Sequence, residues 1–322
     1  NVISDPLKLD VAGGTLTGPL LVASGVNIAT LQGGATGEPV VVGAAPTSGD
    51  PDVGVVVKTR GTGALMTAVP NSAATGGNAR GANAVDWQTS RSAAAQVASG
   101  AGATIAGGTL NTASGSGATV IGGSGNVASG QEATAGGAAA QASAMRAFAY
   151  GNNALSDGWY SRAWGNFPWA RGWYGADVHS AGRFTTAGDA QRSSHVMRGQ
   201  AVAAAAVRLT ANGRGAPAPD TIINLANNTA VSGVVHVTAR DQTTANCARW
   251  AIPFGMARAT GVGSTTLVAG TVDFQNIIGA DASKLMMAIS ADTVNGGINL
   301  TFTPPNANTW NVVAAIHLSE VQ

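Results

Sequence analysis

Two hydrophobic patterns divide this chain. From Val97 to about Ala176, small apolar residues return every 14 or 15 positions. Ala-Ser-Gly starts at Ala98, Ala113 and Ala128, Ala-Ser-Ala starts at Ala142, and the Gly-Gly pairs at Gly107, Gly122 and Gly136 keep the same beat. Ala149-Tyr150-Gly151-Asn152 then returns as Ala163-Trp164-Gly165-Asn166. Such a unit is too short for two helices, but it holds two short strands and two turns. Repetition at a fixed short period marks a stacked architecture in which each repeat covers its neighbour. The inward column is predicted to be Ala103, Ile105, Ala118, Val120, Ala133 and Ala135. So narrow a column buries little apolar area per turn, which favours side-by-side association in a closed cyclic oligomer. A disordered Gly/Ala/Ser tract is the alternative, and the register of Ile, Val and Ala argues against it.

After about residue 200 the period becomes two. Val235, Val237 and Ala239 alternate with polar neighbours, as do Ile298, Leu300 and Phe302. Trp310, Val312, Ala314, Ile316 and Leu318 form a longer alternating run. These are half-buried strands, and Asn295-Gly296-Gly297 is a hairpin turn between two of them. About eight strands in roughly 120 residues predict an antiparallel β-sandwich over 201–322. Residues 1–70 read as short strands broken by glycine, with β-branched runs at Val40–Val42 and Val55–Val57. Residues 71–96 read as a connector of coil or short helix, and 182–200 as a junction. The fold class is therefore all-β, an elongated fibre in which a short-repeat β-coil over 97–181 precedes a terminal sandwich.

Composition narrows the functional classes. Only 10% of the 322 residues are charged and 45 are Gly, far from ordinary globular usage. A net charge of +1 without a basic run argues against nucleic-acid binding. No apolar run is long enough to span a membrane as a helix. The chain starts at Asn1 with neither Met nor a leader-like region, as expected of a segment cut from a longer polypeptide. The single Cys247 excludes intrachain disulfides and reads as a small buried hydrophobe.

Several short motifs carry a family resemblance. Gly13-Gly14-Thr15-Leu16-Thr17-Gly18-Pro19-Leu20 resembles a segment that recurs in tailed-phage tail fibres, and Lys58-Thr59-Arg60-Gly61-Thr62-Gly63 resembles one of their turns. Residues 71–96 look like the lead-in that such fibres place before a head repeat. The repeats after Val97 are similar to the coil of YadA-like trimeric adhesin heads, with ATIAGG and ATVIGG as loose counterparts of its wording. The resemblance implies a homotrimeric tail fibre or receptor-binding spike of a phage or phage-like particle. Such a protein belongs to the virion, outside the host cell, is joined to tail or baseplate proteins through its N-terminal end, and binds a host surface glycan or other receptor.

Seven aromatic residues lie between Trp159 and Tyr174. They either fill a coil that widens toward the next domain, or form a platform for sugar rings. The receptor-binding candidates are Trp159, Tyr160, Trp164, Trp169, Trp173 and Tyr174. Glycan cleavage by hydrolysis needs two carboxyl groups about 5–9.5 Å apart. Glu132, Asp157, Asp220, Asp241, Asp273, Asp281, Asp292 and Glu320 supply carboxyl groups, but no spacing singles out a pair. His179, His195, His236 and His317 show no metal-ligand spacing, and no serine or cysteine has a nucleophile elbow. The expectation is a structural attachment protein with no enzymatic activity, no cofactor and no metal. The alternatives are a polysaccharide-degrading tailspike and a trimeric bacterial adhesin. The adhesin is disfavoured because 200–322 reads as a soluble sandwich, not as membrane strands.

Overall fold

An alanine-rich strand two residues long cannot bury much, so the coil stacks such strands in register. The computed structural model describes Thr59, residues 61–213, 216–270 and 286–322, and the backbone of Phe274–Ile278. The strands and turns expected before Thr59 lie outside the described residues. In chain order the coil runs β1 (Leu65–Met66), β2 (Val85–Asp86), β3 (Thr104–Ile105), β4 (Thr112–Ala113), β5 (Thr119–Ser124), β6 (Val127–Ala128) and β7 (Thr134–Ala138). It continues through β8 (Gln141–Ala142), β9 (Phe148–Asn152), β10 (Leu155–Ser156), β11 (Arg162–Asn166) and β12 (Asp177–Ser180). Strands β1, β2, β3, β5, β7, β9, β11 and β12 pair in parallel as one face, and β4, β6, β8 and β10 as another. The result is a β-solenoid of about six turns. The stretch 71–96, read as a connector, forms no helix. It is an early part of the same coil, with Val85 opposite Thr104, and its buried Asp86 meets both Arg80 and Arg91.

The predicted inner column is correct. Ala103, Ile105, Ala118, Val120, Ala133 and Ala135 are fully buried, joined by Ala98, Ala113, Ala128 and Ala142 on the other face. Glycine is imposed by close approach. A Cβ on Gly115 would lie 2.0 Å from the Gly130 carbonyl oxygen, and one on Gly130 would lie 1.9 Å from that of Ala144.

The difference between 15- and 14-residue steps has a local cause. In β5 the register slips between Val120 and Gly123, so Ile121-Gly122 holds one residue more than its counterpart in β7. That bulge turns carbonyls inward, and an asparagine four residues on satisfies them. Asn126 Nδ2 donates to the Gly122 and Gly137 carbonyls at 2.9 Å each, while its Oδ1 accepts the Ala140 N–H at 2.9 Å. Asn111 does the same for Gly107 and Gly123, and its Oδ1 accepts the Asn126 N–H. Gln88 extends this buried ladder by one turn, its Oε1 accepting the Asn111 N–H. The motif is visible as GGTLN and GGSGN. The extra residue precedes the Gly pair, in ATVIGG; in ATAGG it is gone, and Ala140, five residues on from Ala135, replaces the asparagine.

Beyond the coil the chain makes β13 (Ala190–Ala201), β14 (Val207–Arg208), β15 (Thr229–Asp241), β16 (Cys247–Arg258), β17 (Thr265–Gly270), β18 (Phe274–Ile278), β19 (Met286–Asp292), β20 (Gly297–Thr303) and β21 (Trp310–Val321). The expected junction at 182–200 is corrected here. From Ala190 it is a full strand, antiparallel to both β12 and β21, so the solenoid face runs without a break into the order β13-β21-β15-β16-β17. A second sheet, β14-β20-β19, shares one apolar cluster with it, including Val235, Ile252, Phe302, Trp310 and Ile316. Trp173, Ala176 and Val178 of the last coil turn belong to that same cluster. The expected hairpin is present, with Gly296 in the left-handed region at φ 75° between β19 and β20. Cys247 is half-buried, because it alternates with buried Ala248 on the outward side of β16.

Loops are held by carboxylates. Asp189 accepts the N–H groups of Phe184, Thr185 and Thr186. Burial works against its charge, but these donors outweigh it and hold the carboxyl down at about 2. Asp241, with Asn308, Thr243 and Thr244, and Asp292, with Asn295, Arg208 and Val294, are lowered against burial in the same way.

Two outcomes follow. Asn126→Ala leaves three buried backbone groups without their partner and should lower unfolding free energy by about 3 kcal/mol or more. Asn152→Ala, which removes an exposed bond to Asn166, should stay within about 0.5 kcal/mol; chemical denaturation compares the two. Depressed carboxyl pKa values stabilise the fold above the unfolded value and lose that effect below it. Thermal stability should therefore fall as pH drops from about 4 toward about 2, and Asp189→Asn should shallow that acid limb.

Candidate functional site

Because one turn takes 14 or 15 residues, side chains that far apart stack, and neighbours in sequence spread around the coil. The aromatic run is dispersed accordingly. Trp159 and Tyr160 occupy a turn and are exposed, Trp159 by 56%. Tyr160 has φ 60° and lies at a centroid distance of 5.4 Å from Tyr174 of the next turn. Arg146 of the previous turn reaches the Tyr160 ring and hydroxyl, and pairs with Glu132 at 2.6 Å. Trp169 is on the other face, beside Leu155, half-buried with its Nε1 donating to Asp157 at 2.8 Å and Arg171 over its ring. Trp173 is not a surface residue. It is 1% exposed, its Nε1 donates to Asn224 Oδ1 at 2.6 Å, and its ring meets His195 edge-on at 4.8 Å. It is removed from the candidate set because it fills the seam between coil and terminal sheets. The six candidates thus do not form one platform.

Trp164 is placed differently. It projects from β11, opposite Tyr150 of β9 and His179 of β12, and its ring lies 4.2 Å from the His179 imidazole. Its Nε1 donates to Asp177 Oδ1 at 2.7 Å, which fixes the ring plane. Asp177 also meets Arg162 at 3.4 Å. Trp164, Asp177 and His179 form one wall of an open cleft of about 1060 Å³ where the solenoid face passes into the terminal sheet. The cleft floor follows the strand register: Arg192 and Ser194 of β13, then Ser319 and His317 of β21, then Ser232 and Val234 of β15, then Gly255 and Pro253 of β16. Ala269 and Gly270 of β17 lie on its far side. Ser194 Oγ and His317 Nδ1 are 3.0 Å apart. No sequence spacing flags this cleft, since its residues come from seven strands. Of the Tyr150–Trp164–His179 column only the step of 14 from Tyr150 to Trp164 was readable; the register of β12 adds His179.

Chemistry within reach is narrow. Of the described carboxylates, only Asp177 lines the cleft. Asp157, Asp189, Asp241, Asp292 and Glu320 are bound to structural donors elsewhere, Glu320 to Gln191 and to Arg171 at 2.8 Å. Asp273 and Asp281 lie outside the described residues. Two imidazoles, His179 and His317, share the cleft with Arg192. His195 does not join them. It is buried, its Nε2 lies 2.7 Å from Ser193 Oγ, and burial together with the charge of His317 pushes its pKa down to about 3. Among the described residues no three His, Cys, Asp or Glu side chains gather as a metal site.

No protein-family model and no curated protein matches this chain. Among solved structures it is similar to the tailspike protein of Acinetobacter baumannii phage AM24, at 10% identity and a TM-score of 0.21, over 80% of this chain and 52% of that one. It is also similar to the tailspike protein gp49 of Acinetobacter baumannii bacteriophage Fri1, a capsular polysaccharide depolymerase, at 9% identity and a TM-score of 0.24, over 80% of this chain and 46% of that one. The chain therefore spans about half the length of the tailspike chains it matches. Likenesses of this size assign neither a substrate nor a mechanism. The second neighbour nevertheless corrects the expectation that the chain is not an enzyme, because a depolymerase is one, and that expectation is withdrawn.

Proposed function

We propose that this chain is part of a phage tailspike that engages a polysaccharide of the host surface, and that the polysaccharide lies in the cleft walled by Trp164. The observation that carries the reading is an exposed indole, clamped through its Nε1 by Asp177, beside a floor of hydroxyl, imidazole and guanidinium groups. A flat ring of fixed orientation suits the apolar face of a sugar, and the polar floor suits its hydroxyls. A ring held before the ligand arrives loses less freedom on binding. In the proposal three copies associate side by side, the N-terminal end joins the tail, and linked weak sites add avidity. Trp159 and Tyr160 stand outside the cleft and serve as internal controls.

Cleavage of the bound polymer is the second reading, favoured by the two imidazoles in the cleft, since imidazole is the side chain most often used for proton transfer. It uses no carboxyl pair.

The test is retention of the purified protein in gels cast with capsular polysaccharides from a panel of encapsulated bacteria. Retention by at least one capsule is expected, with Trp164→Ala weakening it about tenfold and Trp159→Ala leaving it within about twofold. Asp177→Asn should weaken it several-fold without lowering the melting temperature. Retention by none, or equal loss in the two tryptophan variants, overturns the cleft assignment. Release of reducing or unsaturated chain ends from the retained capsule, abolished by His179→Ala or His317→Ala, supports cleavage, and an unchanged polymer length rejects it.

A further inference from the structure

The cleft floor carries a cation that pairs with no carboxylate among the described residues. Arg192 is exposed on β13, and its guanidinium makes no hydrogen bond or ion pair with any described residue. This sets it apart from Arg80, Arg91, Arg146, Arg162, Arg171 and Arg208, each of which meets a carboxylate. The cleft's one described carboxylate, Asp177, makes no ion pair with Arg192 and is directed to other donors. Oδ1 accepts the Trp164 indole N–H and Oδ2 the Arg162 guanidinium. Every other polar side chain among the described residues of the floor is a hydroxyl or an imidazole, so the unpaired charge they present is positive.

Placement adds a second constraint. Arg192 stands directly opposite His179, and His179 directly opposite Trp164. Two strand spacings therefore separate the backbone positions that carry the indole and the guanidinium, roughly 10 Å, about the length of a disaccharide. A sugar stacked on Trp164 would put a substituent of its neighbour over Arg192. Guanidinium presents a planar fork of donors that matches the two oxygens of a carboxylate.

We propose that the cleft is selective for an acidic glycan, with Arg192 receiving the carboxylate of a uronic or nonulosonic acid while Trp164 supports a ring beside it. This rests on the reading of the cleft as a polysaccharide site and narrows it to one class of polymer. Arg192 acts as the specificity-determining residue. Its removal loses the acidic ligand without disturbing the fold, since it bonds to nothing within the described structure.

The full chain is tested by retention in gels containing hyaluronate, polygalacturonate or polysialic acid against dextran and hydroxyethyl cellulose, at about 0.15 M salt so that diffuse surface charge is screened. Arg192→Gln is compared with Arg183→Gln, which removes the same charge from a side chain stacked on Phe167. Retention by an acidic polymer is expected, falling about tenfold or more in Arg192→Gln and less than about twofold in Arg183→Gln. Carboxyl reduction of the retained polymer should cost the wild-type protein the same factor and Arg192→Gln almost nothing. Equal losses in the two arginine variants, or retention by neutral polymers that Arg192→Gln leaves unchanged, overturn the acidic assignment. The latter result leaves the polysaccharide reading standing. Retention by none of the acidic or neutral polymers removes both.

Discussion

The distance between successive turns of backbone governs this molecule. Parallel strands stack at about 4.8 Å, and the turn-to-turn contact is close enough that a single Cβ at Gly115 or Gly130 would strike a carbonyl. The apolar part of so tightly wound an interior is filled mainly by Ala, with Val120 and Ile105. The coil also buries backbone groups that water cannot reach, so each must find a partner within the protein. Where the path bulges, at Gly107 and Gly122, Asn111 and Asn126 supply that partner. Where it does not, alanine returns.

The same winding decides what the outside can do. Residues one turn apart are brought into contact, which aligns Tyr150, Trp164 and His179 in a column and Glu132, Arg146, Tyr160 and Tyr174 in another. Residues close in sequence are sent to different faces. Trp164 and Trp169 are five positions apart and lie on opposite strands of one turn, each with its indole held by a different aspartate. A carboxylate bound to the indole N–H opposes rotation of each of these two rings.

The cleft exists because one sheet changes character without breaking. Up to β12 the strands are parallel and short; from β13 they are antiparallel and 12 or 13 residues long in β13, β15, β16 and β21. Trp173 plugs the interior of that change, packed on His195 and bonded to Asn224. Arg171 ties the last coil turn to Glu320 near the chain's end. With the seam fixed on the inside, the outward face presents solenoid side chains and terminal-strand side chains to one volume.

The repeat, its inner column, the terminal alternating strands and the Asn295-Gly296-Gly297 hairpin were all legible in the sequence, because each depends on spacing along the chain and on the size or conformational freedom of a residue at a known position. Even the bulge is written there, as ATVIGG against ATAGG. The fate of the aromatics was not legible. A window of consecutive residues treats Trp159 to Tyr174 as one cluster, whereas contact in a coil is set by steps of 14 and 15. The strand role of Ala190–Ala201 was hidden too, since its pairing with Trp310–Val321 spans more than a hundred residues and no local preference encodes it. Only that pairing brings Arg192 and Ser194 beside Ser319 and His317, and only the parallel step from β11 to β12 sets Trp164 against His179. Composition and period determined a narrow β-coil joined to alternating strands; long-range register alone decided which outward side chains share a cleft.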